Sequence, residues 1–482
     1  MNHIGAVPVR AQRQVAAPAE TAPVTDRRQV VSWYAAFAAF AAVVFATSGQ
    51  PVQWIWGAWA ALGYALAALT AALWRSRGRD AALAIALIGA LAAPLAWQVK
   101  FGAKISTAGD GSLKVVARAA ALLLQHGTPY LPADQISRVL EYNPYEPAMA
   151  IFGLPAAAGL HGAAGNPRLW MAITAAAVLA AAFRLAKPGS ALRSTAFAFG
   201  SPVLALPLTT GLTDLPVLSL LCLTLACTAK SPRWRRAQLV AAIALGAACA
   251  IKATAWPALP VIAAMLAVRD GARSATRFAV TAGITAIALV LATAPASVTA
   301  PAALFQNTVL FPLGLTRYQT DAASALPGHL LAATGPAGRW AAVGLLCAAS
   351  LVMVASLVVQ PPADTQAAAR RLAVSLAMLF ALAPASRWGY FVYPAALLAF
   401  VSMTRSERDA ATTPAPASDR GYEESPAAIV AALAAGAVTP RRGRTDGQPD
   451  RETPGRSYRA DARASSRRDL ALPLRPRQGR RR

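Results

Sequence analysis

Apolar, charge-free stretches long enough to cross a bilayer constrain this chain more than any other feature. Three follow one another near its start, at residues 30–48, 52–73 and 81–99. A helix of about 20 residues, rising about 1.5 Å per residue, spans the hydrocarbon core of a membrane. Further apolar blocks at 168–183, 195–211, 214–229, 237–251, 255–268, 278–296, 340–359, 372–385 and 388–403 raise the expected number of spans to about twelve. With 56% hydrophobic and 14% charged residues, the chain lacks the charged surface of an ordinary soluble protein. The expected fold is an all-α polytopic membrane protein. A disordered cytoplasmic N-terminus at 1–29 would precede a membrane domain at 30–403, and a disordered basic tail would follow at 404–482. That tail holds 17 Arg against 10 acidic residues, and its apolar patch at 427–438 is too short to span.

A net charge of +25 would suggest nucleic acid in a soluble protein. Here the cations sit in short loops between apolar blocks, so they set orientation and meet lipid head groups instead. With the N-terminus inside and the spans alternating, inner segments carry 19 Lys and Arg and short outer ones carry 4. That asymmetry places both termini in the cytoplasm. It also requires the stretch 147–160 not to cross. Only 14 residues long and broken by Pro147, Gly153 and Pro155, it suits a re-entrant or surface half-helix. Cys222, Cys227, Cys249 and Cys347 all fall in apolar blocks without metal-ligand spacing and read as core residues. The tryptophans at 33, 54, 56, 59, 74 and 97 read as an interfacial belt.

Ionisable residues near membrane depth are costly and therefore functional candidates. In this orientation they gather on the outer side. Asp110, Glu141 and Glu146 lie in the loop 100–168, Asp214 and Lys252 at span ends, Arg317, Asp321 and His329 in the loop 297–339, and Arg387 before the last span. One carboxylate among several cations suits glycosyl transfer from a lipid phosphate. The base takes the proton of the acceptor hydroxyl, and the cations hold a leaving group that needs no protonation. Blander readings stand beside these. Asp110 would sit comfortably in a Gly-rich turn, Lys252 could snorkel, and Arg387 could anchor a helix end. A transporter or lipid flippase is the alternative class. No inverted repeat is visible in the sequence, however, and the charges gather at one side instead of the midplane.

The runs GDGSLKVVARAAALLLQHGTPYLP at 109–132 and YNPYEPAMAIFGLP at 142–155 resemble the first outer loop of bacterial, actinobacterial-type GT-C glycosyltransferases that use polyprenyl-phosphate mannose or a related sugar. GLTD at 211–214, AIKATAWPALPVI at 250–262 and RWGYFVYP at 387–394 are similar too. The matches are Gly109-Asp110, Gly127 with Tyr130, and Tyr145-Glu146-Pro147. Val116 stands where the family has Tyr, and Glu146 where it has Pro. The resemblance implies a GT-C-like bundle that moves a hexose, mannose or a related sugar, from a polyprenyl-phosphate donor to an outer-face glycolipid or glycan acceptor with inversion. It makes Asp110 the catalytic base and implies a bacterial plasma-membrane location. Lys252, Arg387, Arg317 and His329 become candidates for the donor phosphate, and Glu141, Tyr145 and Asp214 for the acceptor. The sequence demands no cofactor, although a divalent ion near Asp110 stays open. The expected partners are the lipid donor, the acceptor and membrane lipids, with no nucleic acid.

Overall fold

The structure is a computed structural model that describes residues 27–74, 78–98, 111–230, 235–297, 299 and 301–404. Among the described residues there is no strand, only one isolated parallel bridge between Ala323 and Ser386. The helices are α1 (Arg27–Thr47), α2 (Pro51–Leu73), α3 (Gly78–Gln98), α4 (Gly111–His126), α5 (Pro167–Ala186), α6 (Ala191–Gly200) and α7 (Pro202–Thr210). They continue as α8 (Leu215–Thr228), α9 (Arg235–Ile251), α10 (Ala258–Asp270), α11 (Ala272–Thr293), α12 (Pro336–Val359), α13 (Thr365–Leu382) and α14 (Val392–Thr404). The first helix starts at Arg27, inside the segment expected to be disordered. The remainder of that segment and the basic tail lie outside the described residues.

Each apolar block expected to span is helical, but helix length does not confirm a count of about twelve spans. Among the described residues six helices are long and apolar enough to cross, namely α1, α2, α3, α5, α11 and α12, or seven if the bent pair leading into α7 is one broken span. The reason is length. Helix α8 has 14 residues and α10 has 13, so each reaches only about 20 Å. Twelve of the residues in α8 are buried, because α5, α9 and α14 pack around it. A helix enclosed by protein need not match the bilayer thickness by itself.

The first three helices form their own apolar cluster, joined by Phe197 of α6 and by Ala205 and Leu206 of α7. Helices α2 and α3 cross where Gly63 meets Gly89. A Cβ added at Gly63 would stand 2.6 Å from the Gly89 Cα, so only glycine fits. A π-turn at Ile88–Ala92 frees the Ala90 carbonyl, which accepts the Trp56 indole N–H at 2.8 Å. Trp56 is fully buried here, which corrects its place in the interfacial belt. The α6–α7 pair bends by 58° at Ser201-Pro202, and the Tyr64 hydroxyl donates to Gly200 O at the bend (2.8 Å). Cys222, Cys227 and Cys249 are core residues as expected, whereas Cys347 is exposed on α12.

The loops sort into two ends. At one, Arg193 pairs with Asp80, Arg269 donates to Thr228 O, and Gln238 donates to Asp270. These are segments that the charge pattern puts inside. At the other, Asn143 N–H donates to Asn307 Oδ1, Thr128 meets Ser297, Ser324 N–H donates to Ser386 O, and Arg168 donates to Gln98. These are segments that the charge pattern puts outside. Tyr145 precedes the stretch that must not cross and Arg168 follows it, and both lie at this same end. That stretch runs as a 3₁₀ helix over Pro147–Gly153 and a short turn at Leu154–Ala157. Its Gly153 lies so close to Val116 O that a Cβ would sit 2.4 Å away.

Candidate active site

The outer loops are built around two asparagines. Asn307, fully buried on a π-turn at Gln306–Leu310, donates to Leu131 O and Ala303 O while its carbonyl takes the Asn143 N–H. Tyr142 stacks on Phe311 with ring centroids 4.3 Å apart. The Tyr130 hydroxyl donates to Tyr145 O at 2.8 Å. Together these bonds fix the segment 142–146 over the N-terminus of α8 and the end of α9.

Asp214 sits where α8 begins. Gly211 adopts φ +79° and closes α7 in the left-handed conformation that glycine tolerates. Leu212 and Thr213 lead directly into Asp214, and Pro216 costs nothing in the first turn, where no partner exists for its absent N–H. At this position an aspartate would ordinarily cap the helix. Asp214 makes no such bond. It is 1% exposed, and its Oδ1 accepts from the Lys252 ammonium and from the Tyr393 hydroxyl (2.8 Å). Thr254 in turn donates to Tyr393 (3.0 Å). The Asp214 Oδ2 atom is buried without a hydrogen-bond partner.

Lys252 is the first residue past α9 and has extended backbone. That turns its side chain into the protein instead of along the helix, and the residue is buried at 7% exposure. Its ammonium lies 5.5 Å from the Tyr145 ring centre and 5.1 Å from that of Tyr390, a cation–π cage. Snorkelling to the surface is thereby excluded. The cluster joins four distant stretches of chain: the first outer loop, the start of α8, the end of α9 and the start of the last helix.

Of the residues singled out from the sequence, the structure brings together Lys252, Asp214 and Tyr145. Arg387 is close by: Tyr390 lies within electrostatic reach of both Lys252 and Arg387. Arg387 itself pairs with Asp321 at 2.7 Å in a largely exposed setting. His329 is half-buried, with Nδ1 3.2 Å from Pro384 O, and exposed Arg317 lies over the Tyr318 ring. Neither contacts the cluster. Glu141 is held by its own neighbours, accepting from the Ser137 N–H and hydroxyl and from Arg138. The Ser137 N–H chiefly, helped by Arg138, brings its carboxyl down to about 2. Asp110 lies outside the described residues. Glu146, next to Tyr145, has no charged partner, and burial pushes its carboxyl up to about 7. Among the described residues no three His, Cys, Asp or Glu gather closely enough to hold a metal ion.

Tyr393, Tyr390 and Thr254 had not been singled out as site residues. The signal was present, since Tyr390 and Tyr393 stand three apart at a helix start and so share a face. Thr254 follows Lys252 by two residues.

An all-helical bundle with long apolar helices, basic loops at one end and a buried cation–carboxylate–phenol cluster at the other is a polytopic membrane protein with a candidate site at its less basic end. The sequence model of glycosyltransferase family 87 matches residues 143–384, half of the chain. The chain belongs to that family and is a membrane glycosyltransferase. The matched region contains Tyr145, Glu146, Asp214, Lys252, Arg317 and His329, and it stops before Arg387, Tyr390 and Tyr393. No curated protein and no solved structure gave a match.

Proposed function

We propose that this enzyme moves a hexose, mannose first among the candidates, from a polyprenyl-phosphate donor to a glycolipid or glycan acceptor on the outer face of a bacterial plasma membrane, inverting the anomeric carbon. Asp110 takes the proton of the acceptor hydroxyl as its oxygen attacks that carbon. The bond from the carbon to the phosphate oxygen breaks, and its electron pair leaves with the phosphate. Lys252 stabilises the departing anion, with Arg387 at the rim, and Tyr145 and Asp214 contact the sugars. A charge aimed at a developing anion from a water-poor site is worth more than in solvent.

The observation that carries this reading is an apolar groove in the side of the bundle, whose lining starts a few residues along the chain from the buried ammonium. It has a volume of about 140 Å³ between α10, α12 and α13, and Pro257, Pro260, Leu346, Met353 and Leu379 are among its lining residues. Val354 and Met378, also in its wall, are exposed, so the groove opens sideways from the bundle. Pro257 is five residues from Lys252. Phe380, next to Leu379, meets the rings of Tyr390 and Tyr393 at 5.3 and 5.8 Å. An isoprenoid tail in the groove would have its phosphate near the cluster. Membership of a glycosyltransferase family favours this reading over a transporter, a flippase or a scaffold.

The test is transfer from labelled polyprenyl-phosphate mannose by the purified full-length protein in lipid nanodiscs, with glycolipid acceptors from the native membrane. Wild type is expected to turn over and Asp110→Asn to be slower by about 10²–10⁴. Equal turnover by the two would remove Asp110 from the mechanism. Folded wild-type protein that transfers nothing from this donor would overturn the donor assignment.

A further inference from the structure

Both cations placed nearest a donor phosphate already carry a carboxylate partner. Lys252 pairs with buried Asp214, and Arg387 pairs with Asp321. The buried pair sums to zero charge, so the site is not a general anion trap. The Lys252 ammonium has one hydrogen-bond acceptor, Asp214 Oδ1, and otherwise meets the ring faces of Tyr145 and Tyr390. It therefore keeps N–H groups for a ligand oxygen. On the carboxylate, Oδ2 is buried and accepts no hydrogen bond from the described residues, so the ammonium on Oδ1 is the cation that balances its charge.

A ligand with one negative charge can share the ammonium with Asp214. A second negative charge held at the same ammonium comes within reach of the Asp214 carboxylate, where water is scarce and repulsion correspondingly strong. We propose that Asp214 is a specificity-determining residue that admits donors joined through one phosphate and rejects those joined through a diphosphate. A polyprenyl phosphate sugar is a diester with a single negative charge, whereas its diphosphate counterpart carries two. Discrimination by a built-in repulsive group is a general route to specificity. The inference rests on the reading of Lys252 as the donor-phosphate cation.

Two probes isolate the charge, farnesyl methyl phosphate with one and P1-farnesyl P2-methyl diphosphate with two. Their binding to the full-length protein in nanodiscs is measured by calorimetry for wild type, Asp214→Asn and Tyr393→Phe. Wild type is expected to prefer the monophosphate by about tenfold or more. Asp214→Asn keeps an oxygen for Lys252 and Tyr393 and should shrink that preference by strengthening diphosphate binding. Tyr393→Phe retains both charges and should keep the preference. If Asp214→Asn does not fold, Asp214→Ser replaces it as the uncharged variant. A wild type without preference, or a folded neutral variant with the preference unchanged, overturns the inference. Should neither probe bind wild type, or should Lys252→Gln leave both affinities unaltered, the donor-phosphate reading fails first and takes the inference with it. Loss of both affinities in Lys252→Gln with a ratio indifferent to Asp214 sinks the selectivity alone.

Discussion

Replacing Lys252 by methionine separates what the buried ion pair does for the fold from what it does for catalysis. Two opposite charges about 3 Å apart attract by about 5 kcal/mol at an effective dielectric constant of about 20. Desolvating each ion costs several kcal/mol, so the intact pair contributes little net stability. Its rupture is another matter. In Lys252→Met the Asp214 carboxylate stays at 1% exposure with only the Tyr393 hydroxyl to satisfy it. An abandoned buried charge of this kind costs about 3–5 kcal/mol. The double variant Asp214→Asn/Lys252→Met removes both charges while an amide oxygen still receives Tyr393, and it is expected to recover most of that loss. Thermal unfolding in one detergent, followed by scattering and tryptophan fluorescence, should rank wild type and the double variant close together, with Lys252→Met well below. Turnover should be lost in both variants, because neither presents a cation to the donor. A Lys252→Met protein as heat-stable as wild type would show that the pair is not closed off from solvent. A double variant that regained turnover along with stability would reduce Lys252 to a structural role.

Three further outcomes follow from particular contacts. Tyr393→Phe deletes the hydroxyl that donates to Asp214 and accepts from Thr254, and should lower stability by about 1–3 kcal/mol in the same melts. Glu146→Gln should flatten the pH dependence of stability. The wild-type carboxyl, raised to about 7 by burial, contributes stability that is full below about 4.5, its unfolded value, and is lost as pH climbs through 7. The variant should therefore melt close to wild type near pH 4.5 and above it at pH 8, and parallel melting curves at the two pH values would refute the shift. Gly89→Leu should drive α3 off α2, since even a Cβ there would lie 2.4 Å from the Gly63 Cα. Overpacking typically costs about 1–3 kcal/mol, read as a lower melting temperature; an unchanged one would mean that the helices can separate freely.

The long apolar helices were legible because membrane insertion is a local property, and a run of about 20 residues announces itself without reference to the rest of the chain. The broken, short-helical form of the stretch 147–160 was legible for a related reason, as proline and glycine are local breakers. Length misled where burial intervened. Helix α8 reads as a span from its hydropathy, yet its 14 residues sit inside the bundle, and no local signal reveals enclosure by neighbours. Pairings were opaque. Asp214 and Lys252 are 38 residues apart and Asp214 and Tyr393 are 179 apart, so nothing local announces that the carboxylate pairs with the lysine and the phenol. Glu141 is held by ties that are local in sequence. Ser137 and Arg138 precede it by four and three residues, a spacing that favours local ties over a waiting ligand site. Trp56 shows the same limit as α8, because an indole at a span end looks interfacial until the carbonyl it serves is known.

Tyr390, which faces the lysine, and Tyr393, which donates to Asp214, belong to the segment that ends the helical bundle, so ribosomes deliver them after nearly every other described residue. A nascent chain lacking that segment would already hold its aspartate and its lysine in adjoining helices, yet the ammonium would be missing part of its aromatic housing and the carboxylate its phenolic donor. Competence to handle a donor lipid should then arise late and abruptly during synthesis, sparing the membrane a half-built enzyme.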